Sequence, residues 1–253
     1  MITVFDHDSI RELRLSRPPV NALSPELVTA LGEAVEQAAG DGIRALVISG
    51  APGRFCGGLD VPLLMGFDRP AIRAMWSTLY GLLRGLAASP LPIAAAITGH
   101  SPAGGAVIST YCDYRVMAEG DFKIGFNEVQ VGIPMPVAIL RCVARVVGDL
   151  RAERLCVSGA LLPVPEALRI GLVDEIAPAD QVVERAVAWC RTMTALPPVA
   201  MSRTREASRA ALVRLMDEGL AGELDQLVEN WFHPEAQAVL RAVVERLTQK
   251  KKS

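Results

Sequence analysis

Two short apolar runs, each followed by a glycine-containing turn, limit most strongly what this chain can fold into. The first is ALVISG at residues 45–50, followed by APGRFCGGLD at 51–60. The second is PIAAAITG at 92–99, followed by HSPAGG at 100–105. Runs this short and this apolar predict buried strands, and both lead into stretches with helical periodicity. The strand–turn–helix alternation over the first half of the chain therefore predicts an α/β core.

The flanking segments fit the same architecture. Residues 2–5 and 10–16 predict a hairpin, and Ser24 before Pro25 predicts the start of a helix that ends near Ala39. Further elements predicted from the pattern are a helix at 71–88 and sheet strands at 114–119 and 122–125. Helical patterns dominate from about Pro134 onward, so we expect a helical region after the core.

The charge balance and composition exclude several classes of protein. Of the 253 residues, 26 are Lys or Arg and 28 are Asp or Glu, so the formal net charge is -2. Nucleic-acid-binding proteins normally carry a basic excess, which this chain lacks. With 51% hydrophobic residues, the chain is too apolar for a disordered protein. The composition therefore predicts a folded domain that does not bind nucleic acid.

Other sequence features bear on redox state and location. The five cysteines are widely spaced and form no C-x-x-C pair, which predicts free thiols and no metal site. The N-terminus MITVFDHDSI has no signal-peptide pattern, and no window reaches the run of about 18 apolar residues that a membrane-spanning helix needs. We therefore expect a cytoplasmic protein without a metal and without membrane association. The cysteines are Cys56, Cys112, Cys142, Cys156 and Cys190.

Both glycine-containing turns are suited to binding a negatively charged oxygen. Glycine allows a tight turn and the close approach of a ligand, and a helix N-terminus presents free N–H groups. Two such ends lying side by side would supply a pair of hydrogen-bond donors. The same spacing also fits two ordinary strand-to-helix turns, so the pattern alone leaves both interpretations open.

The second turn is also similar to the nucleophile elbow of serine hydrolases. GHSPA at 99–103 approaches G-x-S-x-G, and His233 follows in the chain order of a catalytic triad. In that elbow, the residue after the serine donates its backbone N–H to the oxyanion. Here that residue is Pro102, which has no N–H, so the sequence argues against a serine hydrolase. The missing G-K-[ST] after the glycines argues against a phosphate-binding loop.

Five segments, in the expected order, resemble the crotonase superfamily of acyl-CoA enzymes, the enoyl-CoA hydratases and isomerases. The resemblance covers nearly the whole chain and implies a crotonase-like (ClpP/crotonase) α/β fold with a repeated ββα core and a helical C-terminal region. It also implies a division into a core at 1–195 and an oligomerisation or lid region at 196–253, and a homotrimer or a hexamer. The segments are RPPVNALSPEL (17–27), RFCGGLDV (54–61), AAITGHSPAGGAVISTYCDYRVM (95–117), FKIGFNEVQVGIPMP (122–136) and RAERLCVSGALLPVPEALRIGLVDEI (151–176).

The resemblance assigns three residues to the reaction. Leu59, just before the Asp of the first turn, and Gly104, at a helix start, match the two backbone amides that hold the thioester oxygen. Glu128, in GFNEVQVG, matches the glutamate that moves protons on the acyl chain. Hydratases of this family carry a second glutamate three residues after the oxyanion glycine, where this chain has Val107.

The single glutamate favours an isomerase over a hydratase. Hydration needs a water that is held and activated, which valine cannot do. Moving a double bond from the 3,4 to the 2,3 position needs only one base and an oxyanion hole. The segment IGFNEVQVGI also resembles the Δ3,Δ2-enoyl-CoA isomerase branch. We therefore predict an enoyl-CoA isomerase, with an enoyl-CoA hydratase and a non-catalytic acyl-CoA-binding protein as alternatives.

Further residues are predicted, from their places in the family segments, to contact the substrate. No separate cofactor is expected, because CoA arrives as part of the acyl-CoA. A local basic group would suffice for its phosphates, such as Arg54 or the lysines at 250–252. Predicted to contact CoA, largely through backbone atoms, are Ala22, Leu23, Arg54, Phe55, Cys56, Gly57 and Asp60; predicted to line the acyl pocket are Val107, Met135, Pro136 and His100.

Overall fold

The structure is a computed structural model that describes residues 1–250, and its strands form two sheets. Lys251, Lys252 and the side chain of Lys250 lie outside the described residues, and with them the predicted lysine cluster. The strands are β1 (Ile2–His7), β2 (Ile10–Leu15), β3 (Ala45–Ser49), β4 (Gly53–Arg54), β5 (Ile93–Ile97), β6 (Gly99–Pro102), β7 (Tyr114–Ala118), β8 (Lys123–Gly125), β9 (Leu161–Pro163) and β10 (Glu175–Ala177). The α-helices are α1 (Pro25–Gly40), α2 (Val61–Leu64), α3 (Arg69–Ala88), α4 (Gly104–Tyr111), α5 (Val137–Val147), α6 (Asp149–Ser158), α7 (Val164–Arg169), α8 (Val182–Thr194), α9 (Pro198–Gly222), α10 (Leu224–Phe232) and α11 (Pro234–Lys250).

The larger sheet contains six strands in the order β1-β2-β3-β5-β7-β10. The first two form the predicted antiparallel hairpin, and every other neighbouring pair is parallel. Leu46 of β3 lies opposite Ile93 of β5, so the two apolar runs pair directly. All residues of both strands are buried, as expected where helices cover both faces of a parallel sheet. The predicted α/β core is confirmed.

Helices pack on both faces of this sheet. On one face, α8 places Ala186 and Cys190 against strand residues that include Ala94 and Ala96. The small alanine side chains let this helix approach the sheet closely. On the other face, α1, α3 and α4 contribute to a larger hydrophobic core.

The smaller sheet, in the order β4-β6-β8-β9, differs from the prediction. The sequence predicts a turn over 100–105 and a place for 122–125 beside the main strands, whereas β6 is a strand that pairs with β4 and β8. A Cβ built on Gly99 would lie 1.9 Å from the carbonyl carbon of Gly53, so the backbones of β4 and β6 are in direct contact. Residues of low strand propensity form a strand here because neighbouring strands supply their hydrogen-bond partners.

The C-terminal helices pack against the rest of the chain. α9 and α10 contact α3, and α11 contacts α2. Leu212 and Met216 of α9 belong to the same hydrophobic cluster as residues of the main sheet. The division at 195/196 stays a prediction. Within residues 1–250, no helix is both long enough and apolar enough to cross a membrane.

Candidate active site

The two glycine-containing turns meet at one place in the structure. A Cβ built on Gly58 would lie 3.0 Å from the Cβ of Ala103 and 3.4 Å from the backbone N of Gly104. A Cβ built on Gly104 would lie 2.6 Å from Cδ1 of the fully buried Leu23. A side chain at Gly58 would therefore press on the second turn, and one at Gly104 would clash with Leu23. The positive φ of Gly58, 81°, is a further reason for glycine at that position.

Leu59 of the first turn is held by a short parallel bridge to Leu23. Leu23 donates its N–H to the carbonyl of Gly58 at 2.7 Å, and Asp60 donates its N–H to the carbonyl of Leu23 at 3.1 Å. In a parallel ladder, the residue between two such bonds directs its own N–H to the opposite side. The Leu59 amide therefore points away from this bridge, as a ligand-binding role requires.

Gly104 of the second turn is the first residue of α4. Its N–H belongs to a helix N-terminus, where the amides have no acceptor within the helix. The preceding residue, Ala103, has φ 47° and ψ −122°, a conformation that residues with a side chain rarely adopt. Ala103 also donates its N–H to the carbonyl of Gly125 at 2.8 Å, which ties the turn to β8. These two features fix the direction of the Gly104 amide.

Glu128 begins a 3-10 turn, Glu128–Val131, shortly after β8. Pro102 of β6 pairs with Gly125 of β8. Because Gly125 also accepts the hydrogen bond from Ala103, Glu128 follows three residues after a direct contact with the oxyanion turn. The pairing of the smaller sheet therefore brings the predicted acid–base residue towards the predicted oxyanion amides.

The carboxyl group of Glu128 is buried and incompletely hydrogen-bonded. The residue is 9% exposed, and among residues 1–250 its Oε2 has no hydrogen-bond partner. Burial raises the pKa of Glu128 from 4.5 to about 7, and a hydrogen bond from its own backbone N–H lowers it by less. A carboxyl group with a pKa near neutrality can both accept and return a proton.

The position of the second glutamate of hydratases is apolar in the structure. Val107 lies one turn along α4 from Gly104, is 2% exposed and belongs to the hydrophobic core. Two other buried oxygens, Ser101 Oγ and Asn127 Oδ1, lack hydrogen-bond partners in the described part of the chain. A serine hydrolase would pair its serine with a histidine, so the state of Ser101 agrees with the exclusion made from Pro102.

Met135 and Pro136 lie between the Glu128 turn and α5. Met135 is half-buried against the hydrophobic core, and Pro136 is buried. His100, by contrast, is exposed, and its Nδ1 accepts a hydrogen bond from the backbone N–H of Lys123 at 3.2 Å. Successive strand residues face opposite sides, and it is Ser101 that faces the interior. His100 therefore lies at the surface, and its place in the acyl pocket stays a prediction.

The residues predicted to contact CoA fall into two groups. The side chains of Leu23, Phe55 and Cys56 are fully buried, so only their backbone atoms could reach a ligand. Burial also raises the pKa of Cys56 to about 12, which opposes a reactive thiolate. The exposed or half-buried residues of the set are Ala22, Arg54, Gly57 and Asp60.

Two residues that the sequence analysis did not single out hold this region together. Asn21 is buried, and its Nδ2 donates to the carbonyl of Phe55 at 3.0 Å. Arg17 pairs with Asp60 at 2.5 Å, while Asp60 also caps α2 by accepting from the N–H of Leu63 at 3.2 Å. The Asp60 carboxylate is thus already bound by protein groups. Asn21 has φ 52°, a left-handed backbone conformation that asparagine adopts more readily than most residues. That preference is the sequence signal from which Asn21 could have been identified.

Comparisons with known proteins show the family of this chain. A family model described as Enoyl-CoA hydratase/isomerase matches residues 6–252. The enoyl-CoA delta isomerase 1, mitochondrial, of Rattus norvegicus is 32% identical over 245 residues, which cover 96% of this chain and 85% of that protein. The probable enoyl-CoA hydratase echA17 of Mycolicibacterium paratuberculosis is 30% identical over 218 residues, which cover 86% of this chain and 84% of that protein.

A solved structure agrees with these sequence matches. The crystal structure of human mitochondrial delta3-delta2-enoyl-CoA isomerase has a TM-score of 0.93 to this chain at 31% identity, covering 99% of each chain. The crotonase-like fold predicted from the resemblance is confirmed, as is an enzyme of the enoyl-CoA class. The chain therefore belongs to the enoyl-CoA hydratase/isomerase family.

Proposed function

We propose that this protein is an enoyl-CoA isomerase that moves a double bond of a fatty acyl-CoA from the 3,4 to the 2,3 position. The observation that carries the proposal is the state of Glu128, a buried carboxyl group with an unpartnered Oε2 among the described residues and a pKa raised to about 7. Val107 is apolar where a hydratase of the family has its second carboxylate. One acid–base group is enough for a double-bond shift.

The proposed reaction passes one proton through Glu128. Its carboxylate takes a proton from C2 of the acyl chain, and the C–H electron pair delocalises onto the thioester oxygen. The amides of Leu59 and Gly104 stabilise that oxygen, and one such donor is typically worth about 2.7–4 kcal/mol. The electrons then form the 2,3 double bond while C4 takes the proton from Glu128. Since nothing is oxidised or reduced overall, we expect no cofactor besides the CoA of the substrate.

The names of the relatives support a reaction on enoyl-CoA but do not distinguish an isomerase from a hydratase. The rat protein and the human structure are named as isomerases, whereas the mycobacterial relative is named as a probable hydratase. Their identities to this chain are similar, at 32%, 31% and 30%. The choice of isomerase therefore depends on Glu128 and Val107.

A two-substrate assay tests the proposal. The purified protein is incubated separately with a 3-enoyl-CoA and with a 2-enoyl-CoA, and the absorbance of the conjugated thioester is followed. We expect the absorbance to appear with the first substrate and to persist with the second. Absorbance lost from the 2-enoyl-CoA would indicate a hydratase. No change with either, together with thermal stabilisation by acyl-CoA, would indicate binding without catalysis.

A hydratase is the second candidate because of one observation. Asn127 Oδ1 and Glu128 Oε2 are buried acceptors on adjacent residues, and neither has a partner within the described chain. Buried acceptors of this kind are frequently satisfied by a bound water. A water held by these two groups would take the place of the water that hydratases of the family hold with two carboxylates. Hydration by such a water would appear in the assay above as a loss of absorbance from the 2-enoyl-CoA.

We also propose that the chain forms a homotrimer or a hexamer, as its family resemblance implies. Support comes from exposed apolar side chains on neighbouring elements, where an isolated subunit would leave them in water. These include Val129 in the turn after Glu128, Val157 on α6, Leu161 on β9 and Leu168 on α7, with Val157 73% exposed. Light scattering would measure the assembly. The cytoplasmic location stays a prediction, since the rat relative is named as mitochondrial.

A further inference from the structure

The helix that follows the predicted acyl-pocket residues is capped by a distant side chain. Pro136 occupies the N-cap position of α5 and has no side-chain acceptor. Glu223, between α9 and α10, instead accepts a hydrogen bond from the backbone N–H of Val137 at 3.0 Å. A carboxylate here satisfies a free N–H of the first helical turn and interacts favourably with the helix dipole. The start of α5 is therefore held by the C-terminal part of the chain.

The same carboxylate oxygen binds a second element. The fully buried Tyr80 of α3 donates its hydroxyl hydrogen to Oε2 of Glu223 at 3.0 Å. Nearby, a Cβ built on Gly219 would lie 2.6 Å from Cε1 of Tyr80 and 3.4 Å from the Cβ of Ala138. The end of α9 thus contacts both α3 and the first turn of α5, with no space for a side chain. Glu223 joins the three elements at a closely packed point.

The segment from Glu128 to α5 is attached at its other end too. The N–H of Ile133 donates to the carbonyl of Glu128 at 3.0 Å. Nε2 of Gln130 donates to the carbonyl of Gly159 at 2.8 Å, which holds the Glu128 turn against the end of α6. Met135 and Pro136 therefore lie on a short span between two fixed points, and Glu223 holds the point at α5.

Resting on the proposed function, we propose that Glu223 is a positioning residue that fixes the wall that Met135 and Pro136 are predicted to form in the acyl pocket. In this role it sets which acyl chain lengths the enzyme accepts. The two donors to Glu223, the backbone N–H of Val137 and the hydroxyl of Tyr80, have no part in the proposed proton transfer. Loss of the carboxylate frees the first turn of α5 and gives the pocket wall more room to move. Discrimination between chain lengths then falls, while proton transfer by Glu128 continues.

Three variants test this inference by their kcat and KM with short-, medium- and long-chain 3-enoyl-CoA. In Glu223→Ala, we expect the ratio of kcat/KM between the best and the worst chain length to fall by about threefold or more, mainly through KM. The pH profile of kcat/KM keeps its wild-type shape. Glu223→Gln retains the wild-type ratio, because its amide oxygen can accept both hydrogen bonds. Tyr80→Phe shifts the ratio in the same direction as Glu223→Ala, but less.

Asp217→Ala is the matched control, because Asp217 is an exposed acid of α9 that pairs with Arg84 on α3. It removes a charge from the same helix without a bond to α5, so the ratio stays at the wild-type value. The inference is overturned if folded Glu223→Ala and Tyr80→Phe keep the wild-type ratio. It is also overturned if kcat falls equally for every length, or if the wild-type enzyme does not discriminate between lengths.

Calorimetric binding of saturated acyl-CoA thioesters of the same lengths separates this inference from the proposed function. Binding needs no proton transfer, so the ratio of Kd values should narrow in Glu223→Ala as the ratio of kcat/KM does. A narrowed Kd ratio in a protein that does not isomerise any 3-enoyl-CoA would refute the isomerase and support the positioning role. Isomerisation with an unchanged Kd ratio would do the reverse.

Discussion

Two carboxyl groups near opposite ends of α4 differ in the number of hydrogen-bond donors around them. Asp113, just after the C-terminal end, accepts from Nε of Arg205 at 2.9 Å and from the N–H of Ile93 at 2.8 Å, and it forms an ion pair with Nη2 of Arg209 at 2.6 Å. Glu128 lies towards the N-terminal end, and its Oε2 has no donor among residues 1–250. Both groups are largely shielded from solvent, so burial alone does not separate them.

The comparison shows that two shielded carboxyl groups of one fold can have opposite surroundings, one rich and one poor in donors. Donors stabilise the ionised form of a carboxyl group, whereas burial without donors favours the neutral form. Around Asp113, the two arginines also bind carbonyls at helix C-termini, Arg205 that of Leu86 and Arg209 that of Tyr111. They attach α9 to α3 and α4. Glu128 Oε2 has no such donor among residues 1–250, as its proposed acid–base role requires.

The largest effect expected is on catalysis at the donor-poor site. In Glu128→Gln, the only proposed proton carrier is lost, so kcat for a 3-enoyl-CoA should fall by roughly 10²–10⁴-fold. In the wild-type enzyme, kcat/KM should rise with pH through about 7 as the carboxyl group ionises. Initial-rate absorbance assays at pH values on both sides of 7 measure the fall in kcat and the pH dependence of kcat/KM. Full activity in Glu128→Gln would refute the assignment of the base.

At Asp113, the carboxyl group with many donors, we expect a substitution to lower the free energy of unfolding. Asp113→Ala leaves two buried guanidinium groups without their carboxylate, and breaking a buried ion pair in this way costs about 3–5 kcal/mol. Urea denaturation measures the change in the free energy of unfolding. Asp217→Ala serves again as the control, because its exposed pair with Arg84 is worth about 0–1 kcal/mol. Equal losses in the two variants would contradict the distinction.

The pH dependence of stability sharpens the same comparison. The folded pKa of Glu128, about 7, lies above its ordinary value of 4.5, so the bound proton favours the folded state. This contribution is fully present below about pH 4.5 and is lost as the pH rises through about 7. Glutamine stays neutral, so Glu128→Gln should be more stable than wild type by about 1–3 kcal/mol near pH 8.5. Near pH 4, the urea midpoints of the wild type and Glu128→Gln should differ little. If Glu128→Gln is no more stable than the wild type at pH 8.5, burial is not the cause of the raised pKa.

The smallest effect expected concerns the strained residue before Gly104. Ala103 has φ 47°, which glycine adopts without the steric cost of a Cβ. Relief of that strain, less the extra flexibility of the unfolded chain, should make Ala103→Gly more stable by about 1 kcal/mol. Ala106→Gly inside α4 is the control and should lose about 1 kcal/mol. Thermal unfolding of both variants distinguishes them, and destabilisation of Ala103→Gly would argue against strain at this turn.

Local patterns in the sequence predict many elements well. The apolar runs become β3 and β5, and Ser24 caps α1 by accepting from the N–H of Leu27 at 3.3 Å. These features depend on residues close together in the chain. The glycines of the two turns likewise indicate where backbone must approach backbone. The order of five segments, including the one with Glu128, was enough to predict the family.

Other features follow only from contacts between distant segments. The residues of β6 lack a strand pattern and pair only because β4 and β8 lie beside them. The same pairing leaves His100 exposed, which its position in the sequence does not show. Glu223 is 86 residues from Val137 and 143 from Tyr80, a separation that no local pattern spans.

The sequence by itself determined the strand–turn–helix core and the glycines of the two turns. It also determined that Glu128 stands at one of the two glutamate positions of the family's hydratases and Val107 at the other. The tertiary structure decided that the two turns meet, that Glu128 is buried without a donor for Oε2 in the described chain, and that its pKa rises to about 7. The physical reason is that apolar periodicity and capping act over a few neighbouring residues, whereas desolvation depends on every segment that packs around a group.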